Sequence, residues 1–111
     1  MATAVKRQYS KSIGTTAVQI GSYAAPSVTT GVYVTGLVVA NTTAGTVFAS
    51  VAIYDGTNYA YLCQNTPVPT GASINVVNNN NRQALNAGDK VFVTSNVALS
   101  LDVNMSVAEI Q

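Results

Sequence analysis

Residues 47–64, VFASVAIYDGTNYAYLCQ, restrict the possible folds of this 111-residue chain more than any other stretch. Val47, Ala49, Val51 and Ile53 alternate with Phe48, Ser50, Ala52 and Tyr54, the period of two that sends successive side chains to opposite faces of a strand. Asp55-Gly56 interrupts the run and a second alternating run follows, so the segment reads as a β-hairpin. A two-residue turn would set Ile53 opposite Asn58. A four-residue loop, Asp55 to Asn58, sets Ile53 opposite Ala60 and Val51 opposite Leu62, which keeps apolar with apolar. That register gives an aliphatic face of Val51, Ile53, Ala60 and Leu62. The other face gathers Tyr54, Tyr59 and Tyr61, with Phe48 further along it and Cys63 on the same side by alternation.

The rest of the chain punctuates itself in the same idiom. Thr15 to Ile20 predicts a strand with Val18 and Ile20 as its apolar side, and Gly21 to Thr30, with Pro26, a loop. Residues 32–41, VYVTGLVVAN, are apolar at both parities, as in a central strand covered on each face. Gly36 within them marks a bulge or a close backbone contact. Pro67 and Pro69 cannot donate ladder hydrogen bonds and place residues 65–71 in a crossing loop outside any central strand. Ala72 to Val77 is a short strand, the four asparagines 78–81 a mobile loop, and Leu85 to Asp89 a turn feeding the strand Lys90 to Ser95. From Val97 to Val107 every second residue is apolar, predicting a final strand with one buried face. The predicted core therefore includes Val51, Ile53, Leu62, Val97, Leu99, Leu101, Val103 and Met105.

Seven to eight short strands, Gly, Pro and Asn turns and no amphipathic helix point to one all-β domain, an antiparallel β-sandwich of jelly-roll or immunoglobulin-like order. No internal repeat suggests a solenoid or propeller. Residues 1–12 have thin apolar content and read as an extended basic N-terminal arm ahead of a sandwich domain at 13–111. The alternative is a short strand with Val5, Arg7 and Tyr9 on one side.

Charge is scarce and uneven. Charged residues make up 8% of the chain, against roughly a quarter of an ordinary globular domain, leaving Thr, Ser and Asn to supply the polar surface. Such a neutral surface lacks the repulsion that keeps molecules apart, and suits a protein whose outside is covered by other subunits. Lys6, Arg7 and Lys11 give the first eleven residues +3. Arg82 and Lys90 against Asp55, Asp89, Asp102 and Glu109 give the rest −2. The segment after Lys6 and Arg7 has no apolar run of the kind a secretory signal carries, and synthesis in a cytoplasm is the expectation. Neither a membrane span nor a nucleic-acid partner is expected, because no apolar stretch is long enough and three basic residues make a small phosphate footprint. A single cysteine, Cys63, cannot form a disulfide within the chain.

Chemistry is equally constrained. The chain has no histidine, so Cys63 and the serines lack the usual activating base and the commonest metal ligand is missing. Asp55 and Asp89 fall at turns and Asp102 at an outward strand position, where turn formation and solubility account for them. No loop holds the clustered oxygens that calcium needs. The sequence thus predicts no enzyme, no catalytic residues, no cofactor and no metal. The candidate partner-binding residues are Lys6, Arg7 and Lys11, as a subunit-gripping arm, and Tyr54, Tyr59 and Tyr61. Those tyrosines could cover the sheet, line a subunit interface or stack against sugar rings.

The short basic beginning, the Thr/Val/Ala/Asn-rich β body, Pro67-Val68-Pro69-Thr70-Gly71 and Leu85-Asn86-Ala87-Gly88-Asp89-Lys90-Val91 together resemble small virion structural proteins of tailed bacteriophages. The resemblance implies a β-sandwich that oligomerises on a larger scaffold in the virion. Its partners would be the major capsid protein or another virion protein, as well as copies of itself. With only 111 residues and little room for a separate receptor-binding part, it favours a head decoration, or cement, protein over a neck, tail or fibre-attachment component. A carbohydrate-binding module is the rival reading from another class.

Overall fold

In a computed structural model that describes residues 3–27, 31–78 and 82–110, alternation becomes a two-sheet sandwich. Nine strands are present among these residues: β1 (Thr3–Ile13), β2 (Val18–Ala24), β3 (Gly31–Asn41), β4 (Val47–Tyr54), β5 (Tyr59–Val68), β6 (Ser73–Val77), β7 (Gln83–Leu85), β8 (Lys90–Ser95) and β9 (Leu101–Ile110). One sheet has the order β1-β9-β3-β6, with β7 also on β3, and the other the order β2-β8-β4-β5. All pairings are antiparallel. Strands β6 and β7 occupy successive stretches of one edge of β3, so they fill a single position in the sheet.

The connectivity decides between the two orders left open by the sequence. Only β4–β5 is a hairpin between neighbouring strands of one sheet. Apart from the step from β6 to β7, every other connection crosses from sheet to sheet. An immunoglobulin-like sandwich would keep several hairpins within its sheets, and this winding is that of a jelly roll.

The core lies between the sheets and is almost wholly branched aliphatic. Leu101, Val103, Met105 and Val107 of β9 meet Val34, Leu37 and Val39 of β3 and Ile20, Ala49, Val51, Val91 and Val93 of the opposite sheet, all buried. β3 is central, as its composition predicted, although its outward residues remain half-exposed. The register of β3 against β9 slips between Val34 and Gly36, the bulge that Gly36 signalled. β8 has the predicted bounds. The crossing loop expected from residue 65 starts later: β5 runs on to Val68 and includes Pro67, which an edge strand tolerates. Of the asparagine tract expected to be mobile, Asn79, Asn80 and Asn81 lie outside the described residues.

Four further expectations are corrected. Residues 3–13 are extended but do not stand apart as an arm: β1 pairs with β9 from Thr3↔Ile110 to Ser10↔Val103 and again at Ile13↔Leu101. Periodicity missed this strand because the residues in register with inward-facing positions of β9, Lys6, Gln8 and Ser10, are polar. The strand predicted at Thr15 to Ile20 begins at Val18 and runs on through Ala24, with Ile20 buried and Val18 partly exposed. Val97 and Leu99 are 40% and 71% exposed and belong to the turn before β9, not to the core. Two buried serines close that turn: Ser95 Oγ and Ser100 Oγ are hydrogen-bonded, the Val97 amide donates to Ser95 Oγ at 3.1 Å, and Ser100 Oγ donates to Val97 O at 2.7 Å. The apolar alternation runs straight through a turn that hydroxyl groups define.

The fourth correction concerns the hairpin. Ile53 faces Ala60 as expected, but Val51 faces Cys63 rather than Leu62. β5 carries one extra residue on each side of Cys63, and the second excess includes Asn65 in a left-handed conformation (φ 50°), its amide donating to Ser50 Oγ at 3.0 Å. Together the two extra residues restore the alternation of faces, so Val68 returns to the core. Cys63 turns toward the core side, half-buried, with Sγ 3.9 Å from Ala49 O. Ile53 and Leu62, both placed in the predicted core, pack against it only partly buried.

Candidate interaction surface

The hairpin loop builds one end of an aromatic face. The Asp55 carboxylate accepts hydrogen bonds from the amides of Thr57 (2.8 Å) and Asn58 (2.7 Å), and the Asp55 amide donates to Asn58 O (3.2 Å). These amide donors, Asn58 first, hold the Asp55 carboxyl below its ordinary value. The four-residue loop sets Tyr54 directly opposite Tyr59, and their rings stack with centroids 4.4 Å apart and planes inclined by 29°. Tyr54 Oη donates to Gly56 O at 2.9 Å, which pins the first ring to the loop.

Phe92 of β8 completes the cluster. Val91 and Val93 are buried, so alternation turns Phe92 outward, and its pairing with Ala52 sets it beside the stacked tyrosines. Its ring meets Tyr54 and Tyr59 edge-on, each at 5.8 Å between centroids. Sequence reasoning missed Phe92. The alternation of β8 carried half of the signal, but the pairing of β8 with β4 is a long-range choice with no local mark.

Beside the cluster a groove of ≈ 120 Å³ is floored by Ala52 and Ser50 and walled by Tyr59, Tyr61, Phe92, Thr94 and Ala17. Tyr59 and Tyr61 are 51% and 56% exposed, and Phe48 adds a further exposed ring on the same face of β4. Small residues at 50 and 52 and large rings around them make the depression. No charged side chain lines it. It can offer ring faces and hydroxyl groups to a partner, and these favour flat, uncharged, amphipathic surfaces.

The basic residues lie elsewhere. Lys6, Arg7 and Lys11 are on β1, in the other sheet, so the structure does not unite them with the tyrosines. Lys6 Nζ lies 3.1 Å from Glu109 Oε1, and the Arg7 guanidinium sits 5.3 Å from the centroid of the Tyr9 ring. Glu109 faces inward with only 5% exposure and accepts a 2.6 Å hydrogen bond from Tyr23 Oη of β2. The Tyr23 hydrogen bond, aided by Lys6, holds the Glu109 carboxyl below its ordinary value against the opposing effect of burial. Burial and the neighbouring carboxylate push the Tyr23 phenol up. These three side chains tie β1, β9 and β2 together at one end of the sandwich. No group of three or more His, Cys, Asp or Glu side chains is placed to hold a metal among the described residues.

No protein-family model matches the chain, and no curated protein matches it in sequence. Among solved structures it is similar to a chain of the Bacillus endospore appendages, which form a family of disulfide-linked pili. The TM-score is 0.58 at 18% identity, over 96% of this chain and 87% of that one. At that identity the likeness is one of fold.

Proposed function

We propose that this protein is a non-enzymatic structural subunit that works by assembling with copies of itself and with other structural proteins, in its specific form as a decoration protein that clamps neighbouring subunits of a tailed-phage head. The observation that carries the reading is the aromatic face of the β2-β8-β4-β5 sheet: the exposed rings of Tyr59 and Tyr61 stand around a groove that no charged side chain lines among the described residues, with exposed Phe48 further along β4. On a monomer such a patch invites association, and aromatic rings are enriched where subunits meet. The scarcity of charge over the whole chain removes the repulsion that would oppose it. The occurrence of a similar fold in pili of Bacillus endospore appendages supports a building-block role. Those pili are disulfide-linked. Here the single, half-buried Cys63 could join two chains but not a series, so cohesion in this protein falls to packing and hydrogen bonds.

Co-sedimentation with empty phage heads tests the specific form. Wild-type protein pellets with the heads, and Tyr61→Asp, which places a charge at the rim of the groove, stays in solution with an unchanged melting temperature. Equal pelleting by both proteins would remove the aromatic face from the interface.

A second reading rests on the groove itself, where Tyr59 and Tyr61 stand beside Ser50 and Thr94, the mix of ring and hydroxyl that a sugar-binding site uses. Selective binding on a glycan array, abolished in both Tyr59→Ala and Tyr61→Ala, would replace the structural reading with a carbohydrate-binding one.

A further inference from the structure

β1 is attached to the sandwich by a kind of contact that any other copy of the chain could supply equally well. Most of its residues are exposed and only Ile13 is buried. Its side chains toward the sandwich contribute polar contacts: Lys6 to Glu109, and Ser10 Oγ accepting the Gly21 amide at 2.9 Å. Farther along, the Ser12 amide donates to Asp102 Oδ1 at 3.0 Å. Removing residues 3–12, short of Ile13, therefore withdraws no buried side chain. It does strip the β9 edge of its backbone partners and leaves the buried Glu109 carboxylate without its cation, so the vacated edge demands an equivalent strand.

The strands on either side of the connection to β2 each carry a left-handed residue. Ser12 holds a left-handed conformation (φ 54°) beside the bulge between Ser10 and Ile13, and a Cβ on Gly14 would lie 3.5 Å from both Ala98 Cα and the Leu99 amide nitrogen. On the β2 side Gly21 is also left-handed (φ 59°), and a Cβ there would lie 3.0 Å from Gln8 Cβ and 3.3 Å from the Tyr9 amide nitrogen. Extending the chain at the end of β1 relieves Ser12, while the β1–β9 pairing can re-form on another molecule.

We propose that β1 is an exchangeable strand, leaving its own β9 edge to pair with β9 of a second copy and so joining subunits. This deepens the structural reading, on which it rests, and identifies the partner of β1 as another copy of this chain. Arg7 and Lys11 then travel with the donated strand.

Two isotopically distinct preparations of the full chain, one labelled and one not, test it. Each carries Cys63→Ala with Val5→Cys and Ala108→Cys, positions directly opposite across β1 and β9. The two are mixed, unfolded and refolded together at high concentration, oxidised, and digested for mass spectrometry. Exchange predicts that the disulfide-linked peptide joining positions 5 and 108 contains mixed-isotope species in statistical proportion. Peptides of a single isotope only in the assembled fraction, or no mixed-isotope peptide in any fraction, would overturn it. The pair Arg7→Cys with Ser106→Cys, also directly opposed, repeats the measurement should the first pair fold poorly. Assembly is followed separately by sedimentation: assembled protein with single-isotope peptides refutes the exchange and leaves the structural reading standing, whereas mixed-isotope dimers that never grow further refute the reading and leave the exchange.

Discussion

Leu99 and Leu101 are two residues apart and have opposite fates. Leu101 is fully buried, and Leu101→Ala should cost about 2 to 5 kcal/mol in chemical denaturation, because the cavity adds to the lost transfer energy. Leu99 is 71% exposed and held at φ 54°, a conformation in which its Cβ crowds the following carbonyl oxygen. Leu99→Asn should therefore be neutral or stabilising by up to ~1 kcal/mol, since Asn tolerates that region. A loss of stability comparable to that of Leu101→Ala would show that Leu99 is buried in solution. Apolar alternation alone treats both leucines as core. What separates them is a pair of serine hydroxyls that the pattern does not weigh, so Leu101, Val103 and Met105 were legible in the sequence while Val97 and Leu99 were misplaced.

Among the elements, the strands that bury a branched aliphatic side at every second residue, β4, β8 and β9, could be read directly. β1 could not, because its sandwich-facing residues are polar and its attachment depends on a carboxylate from the other end of the chain. That attachment should depend on pH. The folded Glu109 carboxyl lies below its ordinary value, so its contribution is complete above the unfolded carboxylate value of about 4.3 and is lost as pH falls through the folded one. Asp55 acts in the same direction through its loop. Melting temperature should fall on acidification of the wild type, and the fall should be shallower in Glu109→Gln. Identical acid profiles would mean that the latch contributes nothing. Gly21→Ala should also lower the melting temperature, since its Cβ would press on β1 from a left-handed backbone. The hairpin was read correctly at its loop, where Asp55 chemistry is local. It was misread at Cys63, because an irregularity in β5 is fixed by its pairing with β4 rather than by a turn residue.

At the scale of the molecule, the two candidate surfaces lie in different sheets, an arrangement that lets one subunit meet neighbours on two sides. The tyrosines were visible as a face in the sequence. Their enclosure of a groove was not, since that needed Phe92 from β8 and Ala17 from beyond β1. The central claim is that this face holds subunits together, and sedimentation velocity over a series of concentrations, comparing wild type with Tyr61→Asp, tests it most directly. The account predicts a wild-type sedimentation coefficient that climbs with concentration and a variant that remains at the monomer value with its fold intact. A wild type that stays monomeric at every concentration, or a variant that assembles as readily, would contradict it.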